Sequence, residues 1–129
     1  MRVLLTNDDG PLNDEFSGYI RPFAQYLKKH YPHWDLTICV PHVQKSWIGK
    51  AHLAGKKLTA QFLYSKLSSP DNSIIGPFIQ PQAPCKNSKL PRSIANPDVS
   101  RDDLEWILID GTPASCANIG LYHMSDTPF

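Results

Sequence analysis

Between Met1 and Pro41 the apolar residues change their period twice, and that change limits the fold more than any single motif. Val3, Leu4 and Leu5 run without a polar break and stop at the turn formers Asn7 to Gly10, which predicts a short strand buried on both faces. Phe16, Tyr19, Ile20, Phe23, Leu27 and Tyr31 then recur every three or four residues, the stripe of an amphipathic helix. Pro22 sets its start: either the helix begins near Pro22, which then sits in its first turn, or it begins near Ser17 and bends, because proline offers no amide to the helical ladder. Asp35 to Val40 is a second apolar, β-branched run, closed by Pro41. Strand, helix and strand in succession make a βαβ unit, which requires a parallel sheet and a right-handed crossover.

Trp106 to Ile109 predicts a third buried strand, and Asp110, Gly111, Thr112 and Pro113 come directly after it. Thr112 suits a helix N-cap and Pro113 the first helical position. Ala114, Ala117, Leu121 and Met124 then fall on one helical face, with Pro128 beyond it. Between these two blocks lies Ser68 to Asp103, rich in Pro, Ser and Asn. Six of the chain's 12 prolines (Pro70, Pro77, Pro81, Pro84, Pro91 and Pro97) stand in it. With 129 residues of which 41% are hydrophobic, the chain suits one core, so the stretch reads as an irregular excursion within one domain.

A net charge of +1 argues against a uniformly basic nucleic-acid binder, but the charge is uneven. From Leu36 to Pro70 there is no Asp or Glu, while Lys45, Lys50, Lys56, Lys57 and Lys66 all occur there. This is either a solvated face or an anion-binding surface. Cys39, Cys85 and Cys116 cannot all pair, and none lies in a CxxC spacing. The apolar start is too short for a leader peptide, and no stretch approaches the ~20 residues of a membrane span. A soluble, cytoplasmic protein is expected.

Ligands of parallel α/β sheets bind at the carboxyl ends of the strands, which selects Asn7 to Gly10, His42 to Gly49 and Asp110 to Pro113. The first loop lacks the GxGxxG of a dinucleotide site, and Asp8 and Asp9 would repel a phosphate. A phosphate ester therefore needs a cation between itself and these acids, and oxygen-only ligation favours Mg²⁺, Mn²⁺ or Ca²⁺ over zinc. Taken singly the residues have plain alternatives. NDDG is an ordinary turn tetrad, Ser46 a solvated loop serine, His30 and His33 helix-end residues, His42 and His52 loop residues without a visible partner, and Cys116 a small core residue.

Taken together, MRVLLTNDDG, the PHVQKSWIG run with Pro41, Ser46 and Gly49, and GTPASC from Gly111 to Cys116 resemble the SurE family of metal-dependent nucleotidases and phosphatases. Ser115 stands where that family usually has Asp. The resemblance covers residues 1 to about 65 and 104 to 129, with the proline-rich stretch at about 68 to 103 as an insertion. It implies a Rossmann-like three-layer α/β sandwich with a mostly parallel sheet, of which residues 1–129 form the amino-terminal part. It further implies Mg²⁺ or Mn²⁺ held by Asp8, Asp9 and Ser46, with Asp8 and Asp9 catalytic and Lys50 touching the phosphate of a nucleoside 5′- or 3′-monophosphate or another phosphate monoester. The family's fourth ligand, an asparagine in an SGxNxG-type loop, has no counterpart here. PHVQKSWIGKAHLAGK also resembles fungal proteins that join a SurE-like domain to a tubulin-tyrosine-ligase-like domain, a group associated with cytoplasmic RNA-processing bodies, whose proteins are thereby candidate partners. Oligomer formation is left open. The alternative reading is a non-catalytic module that contacts RNA or a protein through the basic surface.

Overall fold

A computed structural model describes residues 1–13, 15–67, 73–83 and 94–124. Strand β1 (Arg2–Leu5), helix α1 (Ile20–His30) and strand β2 (Asp35–Pro41) form the βαβ unit, with β1 and β2 parallel and Val3 opposite Leu36. Next in the chain are strands β3 (Ala60–Ser65) and β4 (Ile74–Phe78), then the short pair β5 (Gln82–Ala83) and β6 (Ile94–Ala95). Strand β7 (Leu104–Ile109) leads into helix α2 (Pro113–Tyr122). The five-stranded sheet has the order β1-β2-β7-β3-β4.

Its first three strands are parallel, but β3 runs antiparallel to β7 and to β4. The sheet is thus mixed, where a mostly parallel one is expected. The cause is the connection after β2: it stays at the carboxyl end of the sheet and enters β3 from there, so β3 must descend against β7, with Ala60 opposite Ile109. No crossover helix is needed for an antiparallel neighbour. Phe62 and Tyr64 of β3 point into the core while Gln61 is exposed, the period-2 pattern of a strand.

The three layers are as expected. Ile20 and Ala24 of α1 pack on one sheet face with Ile38, Val40, Leu104, Trp106 and Leu108. Cys116 and Met124 close the other face with Cys39, Phe62, Tyr64, Val99, Ile107 and Ile109. Details of the burial differ from the sequence pattern. Helix α1 starts at Ile20, so Pro22 falls in its first turn, as the first of the two alternatives has it, but Phe16, Tyr19 and Phe23 of the expected stripe are about half exposed. The buried line is Ile20 and Ala24. Val3, Leu4 and Leu5 are half-buried, because β1 has a neighbour on one side alone in this sheet.

Helix α2 turns Ser115, Cys116 and Gly120 inward, in place of the expected Ala114, Ala117 and Leu121. Close approach explains it. A Cβ at Gly120 would stand 2.6 Å from Leu4 Cδ1 and 3.2 Å from Cys39 Cβ, so only small residues fit against the strands. Cys39 and Cys116 are free and fully buried, and the Cys116 thiol, then burial, hold the Cys39 thiol well above its ordinary pKa. Cys85 and Pro128 lie outside the described residues.

The proline-rich stretch is more ordered than expected where it is described. β4 forms the sheet edge, where Pro77 removes no needed donor. Gly76, at φ +110°, lies so close to Phe62 O that a Cβ would stand 2.8 Å from it. The Tyr64 hydroxyl donates to Glu105 (2.8 Å) and accepts from Gln82 N (2.8 Å). Lys66 and Asp103 pair at 3.0 Å, and Val99 is buried in the core. No helix among the described residues is long and apolar enough to cross a membrane.

Candidate functional site

Parallel pairing of β1, β2 and β7 brings the loops after all three strands to one end of the sheet. The loop after β1 is a closed turn: Asn7 Nδ2 donates to Gly10 O (2.9 Å) and Gly10 N donates to Asn7 Oδ1 (3.2 Å). Gly10 has φ +91°, and a Cβ there would come within 2.9 Å of the Val43 carbonyl carbon, so the turn can lie directly on the loop after β2. Lys45 N donates to Asp8 O at 2.7 Å and locks the two loops together.

This docking places Ser46 on Asp9. Ser46 Oγ donates to Asp9 Oδ1 at 2.6 Å, with Asp8 O 3.4 Å away, and Gln44 Nε2 donates to Ser46 Oγ at 2.6 Å. The other oxygen, Asp9 Oδ2, accepts from the Tyr19 hydroxyl at 2.9 Å. Partial burial, then the Asp9 bond, raises the Tyr19 pKa, so its phenol keeps its proton at neutral pH. Neither Asp8 nor Asp9 has a lysine or arginine within ion-pair distance among the described residues. The Asp9 carboxylate and the Ser46 hydroxyl, with the uncompensated charge of Asp8 on the adjacent residue, offer oxygen donors alone, and such donors fit a hard divalent cation. Among the described residues no group of three or more His, Cys, Asp or Glu side chains gathers as an all-protein cage.

The loop after β2 is also tied to β7. His42 N donates to Ile109 O and Asp110 N to Thr59 O, both at 3.0 Å. Lys56 Nζ lies 2.9 Å from Asp110 Oδ2 and His42 Nε2 lies 3.5 Å from Oδ1. The Lys56 bond is the main reason that the Asp110 carboxyl titrates below its ordinary value. A pKa depressed by folding stabilises the folded state above the unfolded value, and that contribution is lost as pH falls through the folded value. The Lys56–Asp110 latch should therefore stay closed at neutral pH and open only in acid. Carbon-detected NMR titration of Asp110 checks this: Lys56→Gln should raise its midpoint, and an unmoved midpoint would show that the latch is not the cause.

Of the residues singled out from sequence, Asp9 and Ser46 meet side chain to side chain, and Asp8 joins them through its backbone carbonyl. Lys50 is exposed and forms no hydrogen bond or ion pair with them. Thr112 caps α2: the Ser115 amide donates to Thr112 Oγ1 at 3.2 Å, and the two hydroxyls lie 3.0 Å apart. Tyr19 escaped the sequence reading, as did the Asn7–Gly10 clamp and the pairing of His42 and Lys56 with Asp110, although the sequence selects the loops after β1, β2 and β7. Tyr19 was hidden in an apolar stripe, although a phenol just before a helix is a signal. A cavity of about 330 Å³ lies at the opposite end of the sheet, lined in part by Lys28, Trp34, Asp35 and Arg101, and holds none of these groups.

Residues 3–128 match the family model described as "Survival protein SurE". The chain belongs to the SurE family. SurE proteins are generally metal-dependent phosphatases or nucleotidases. The chain is 67% identical over all 129 residues to a Saccharomyces cerevisiae protein named "Probable tubulin--tyrosine ligase PBY1", and it spans 17% of that protein's length. No solved structure was found to match this SurE-family chain.

Proposed function

We propose that the chain carries the metal site of a SurE-type phosphohydrolase acting on nucleoside 5′- or 3′-monophosphates or other phosphate monoesters. The observation that carries this reading is the convergence of Asp9 on Ser46, 37 residues apart, at the strand end where α/β proteins bind ligands. Asp8, Asp9 and Ser46 would hold Mg²⁺ or Mn²⁺, and a cation there supplies Lewis-acid charge to the phosphoryl group. The protein's own part is positioning. The Asn7–Gly10 clamp and the Lys45–Asp8 backbone bond fix the loop that carries the acids before any ligand arrives, and phosphoryl transfer depends on such preset positioning. Exposed Lys50 is free to meet a phosphate oxygen, and the cytoplasm is the proposed compartment.

The test is hydrolysis of p-nitrophenyl phosphate and of nucleoside monophosphates with Mg²⁺ or Mn²⁺, by this chain and by the full-length protein. Metal-dependent turnover that is lost with EDTA supports the reading. Absence of turnover in both, with metal present, would overturn it and favour the non-catalytic module. In that second reading, exposed Lys50 and Lys57 would contact RNA or RNA-processing-body proteins.

A further inference from the structure

The residue that opens α1 is unusual for its place. N-caps are normally Ser, Thr, Asp or Asn, whose short side chains reach back to helical amides. Tyr19 occupies the position and makes no side-chain cap bond. The helix start is held by backbone instead, with Ile20 N donating to Ser17 O at 3.1 Å. The Tyr19 hydroxyl is spent on Asp9 Oδ2, and Asn7 Nδ2 approaches the same hydroxyl at 3.5 Å. A local choice that disregards helix chemistry in favour of one contact marks that contact as the purpose of the residue.

Asp9 is held from both sides. Tyr19 takes Oδ2, and Ser46 lies against Oδ1. With Oδ2 committed to Tyr19, turning the carboxylate to offer both oxygens to one cation would cost that hydrogen bond. That matters for selection among ions: Ca²⁺ takes six to eight ligands and readily accepts bidentate carboxylates, whereas Mg²⁺ and Mn²⁺ prefer octahedral sites with one oxygen from each acid.

We infer that Tyr19 is a positioning residue that holds Asp9 in a one-oxygen presentation and thereby biases the site toward small octahedral divalent cations over Ca²⁺. This rests on the acidic loop being a metal centre. Tyr19→Phe keeps the ring and removes the hydroxyl, and Tyr26→Phe, two helical turns on, is the control because its ring stacks on His30. Mn²⁺ and Ca²⁺ affinities are measured by calorimetry on the full-length protein, with thermal unfolding recorded for each variant. Tyr19→Phe should weaken Mn²⁺ binding by about tenfold, the lower end for loss of an outer-shell partner. Ca²⁺ binding should fall by much less, so the Mn²⁺/Ca²⁺ ratio drops. Tyr26→Phe should change neither. An unchanged ratio, whether both affinities hold or both fall together, would overturn the role of Tyr19 while leaving the metal centre standing. Failure of the unaltered protein to bind either ion would overturn the metal centre, and Tyr19's role with it.

Discussion

Asparagine in place of Asp9 should leave the protein folded and weaken Mn²⁺ binding by at least about 100-fold, more than the 10- to 100-fold typical of losing an outer-shell partner. The fold survives because the turn is closed by Asn7 on Gly10 and by Lys45 on Asp8, none of which uses the Asp9 side chain. The amide oxygen can still accept from Ser46 or Tyr19. What disappears is charge: a hard cation that relied on two carboxylates and a hydroxyl then has one carboxylate, and its remaining protein ligands are weaker donors. Asp8→Asn should do the same, since neither acid has a neighbouring partner that could take its place. Phosphatase turnover should fall with the affinity. Calorimetry with Mn²⁺, beside thermal unfolding, decides the matter. Unchanged affinity in a folded Asp9→Asn protein would remove the acidic loop from the metal reading.

The acidic loop was legible because its geometry is dictated by topology. Two parallel strands joined by a helix must end at the same side, so the residues after Leu5 and after Pro41 had to meet, whatever their separation in the chain. Two features hid the rest. β3 depends on β7, about 40 residues later, and its alternation of Gln61, Phe62, Leu63 and Tyr64 is too short to stand out beside a proline-rich segment. α1 and α2 misled in another way: apolar spacing locates a helix but not the face it buries. For α1 the sheet took up Ile20 and Ala24 and left Phe16, Tyr19 and Phe23 at the rim. For α2 the distance to Leu4 and Cys39 admitted only small residues. At the site the consequence falls on Tyr19, which its period assigns to the core and whose hydroxyl instead meets a carboxylate.

Trp106→Ala should be the most destabilising single change in the core, at about 3–5 kcal/mol. Trp106 is fully buried in the middle of β7 and packs with Ile20, Ala24, Ile38, Val40, Leu104 and Leu108. Its removal leaves a large cavity among residues from α1, β2 and β7. It also strands the Ser65 hydroxyl, which accepts the indole N–H at 2.9 Å and is itself fully buried. Leaving such a group unsatisfied costs about 1–3 kcal/mol. Because a domain of this size is stable by roughly 5–15 kcal/mol, the variant should lose a large share of its stability and melt at a clearly lower temperature than the parent. Trp106→Phe separates the two causes: it keeps most of the ring volume and loses the hydrogen bond, so its urea midpoint should fall between those of the parent and the alanine variant. Adding Ser65→Ala to Trp106→Phe should then cost less than the sum of the two singly, because the hydroxyl no longer has a bond to lose. Additive costs would show that the indole–hydroxyl bond is not stabilising, and a loss below about 2 kcal/mol for Trp106→Ala would show that the cluster collapses around the gap. The site should fail with the strand: Ile109 O and the Asp110 amide at the end of β7 anchor both ends of the loop that delivers Ser46 to Asp9. Mn²⁺ affinity should therefore track the folded fraction in these variants, whereas in Asp9→Asn it falls with the fold intact.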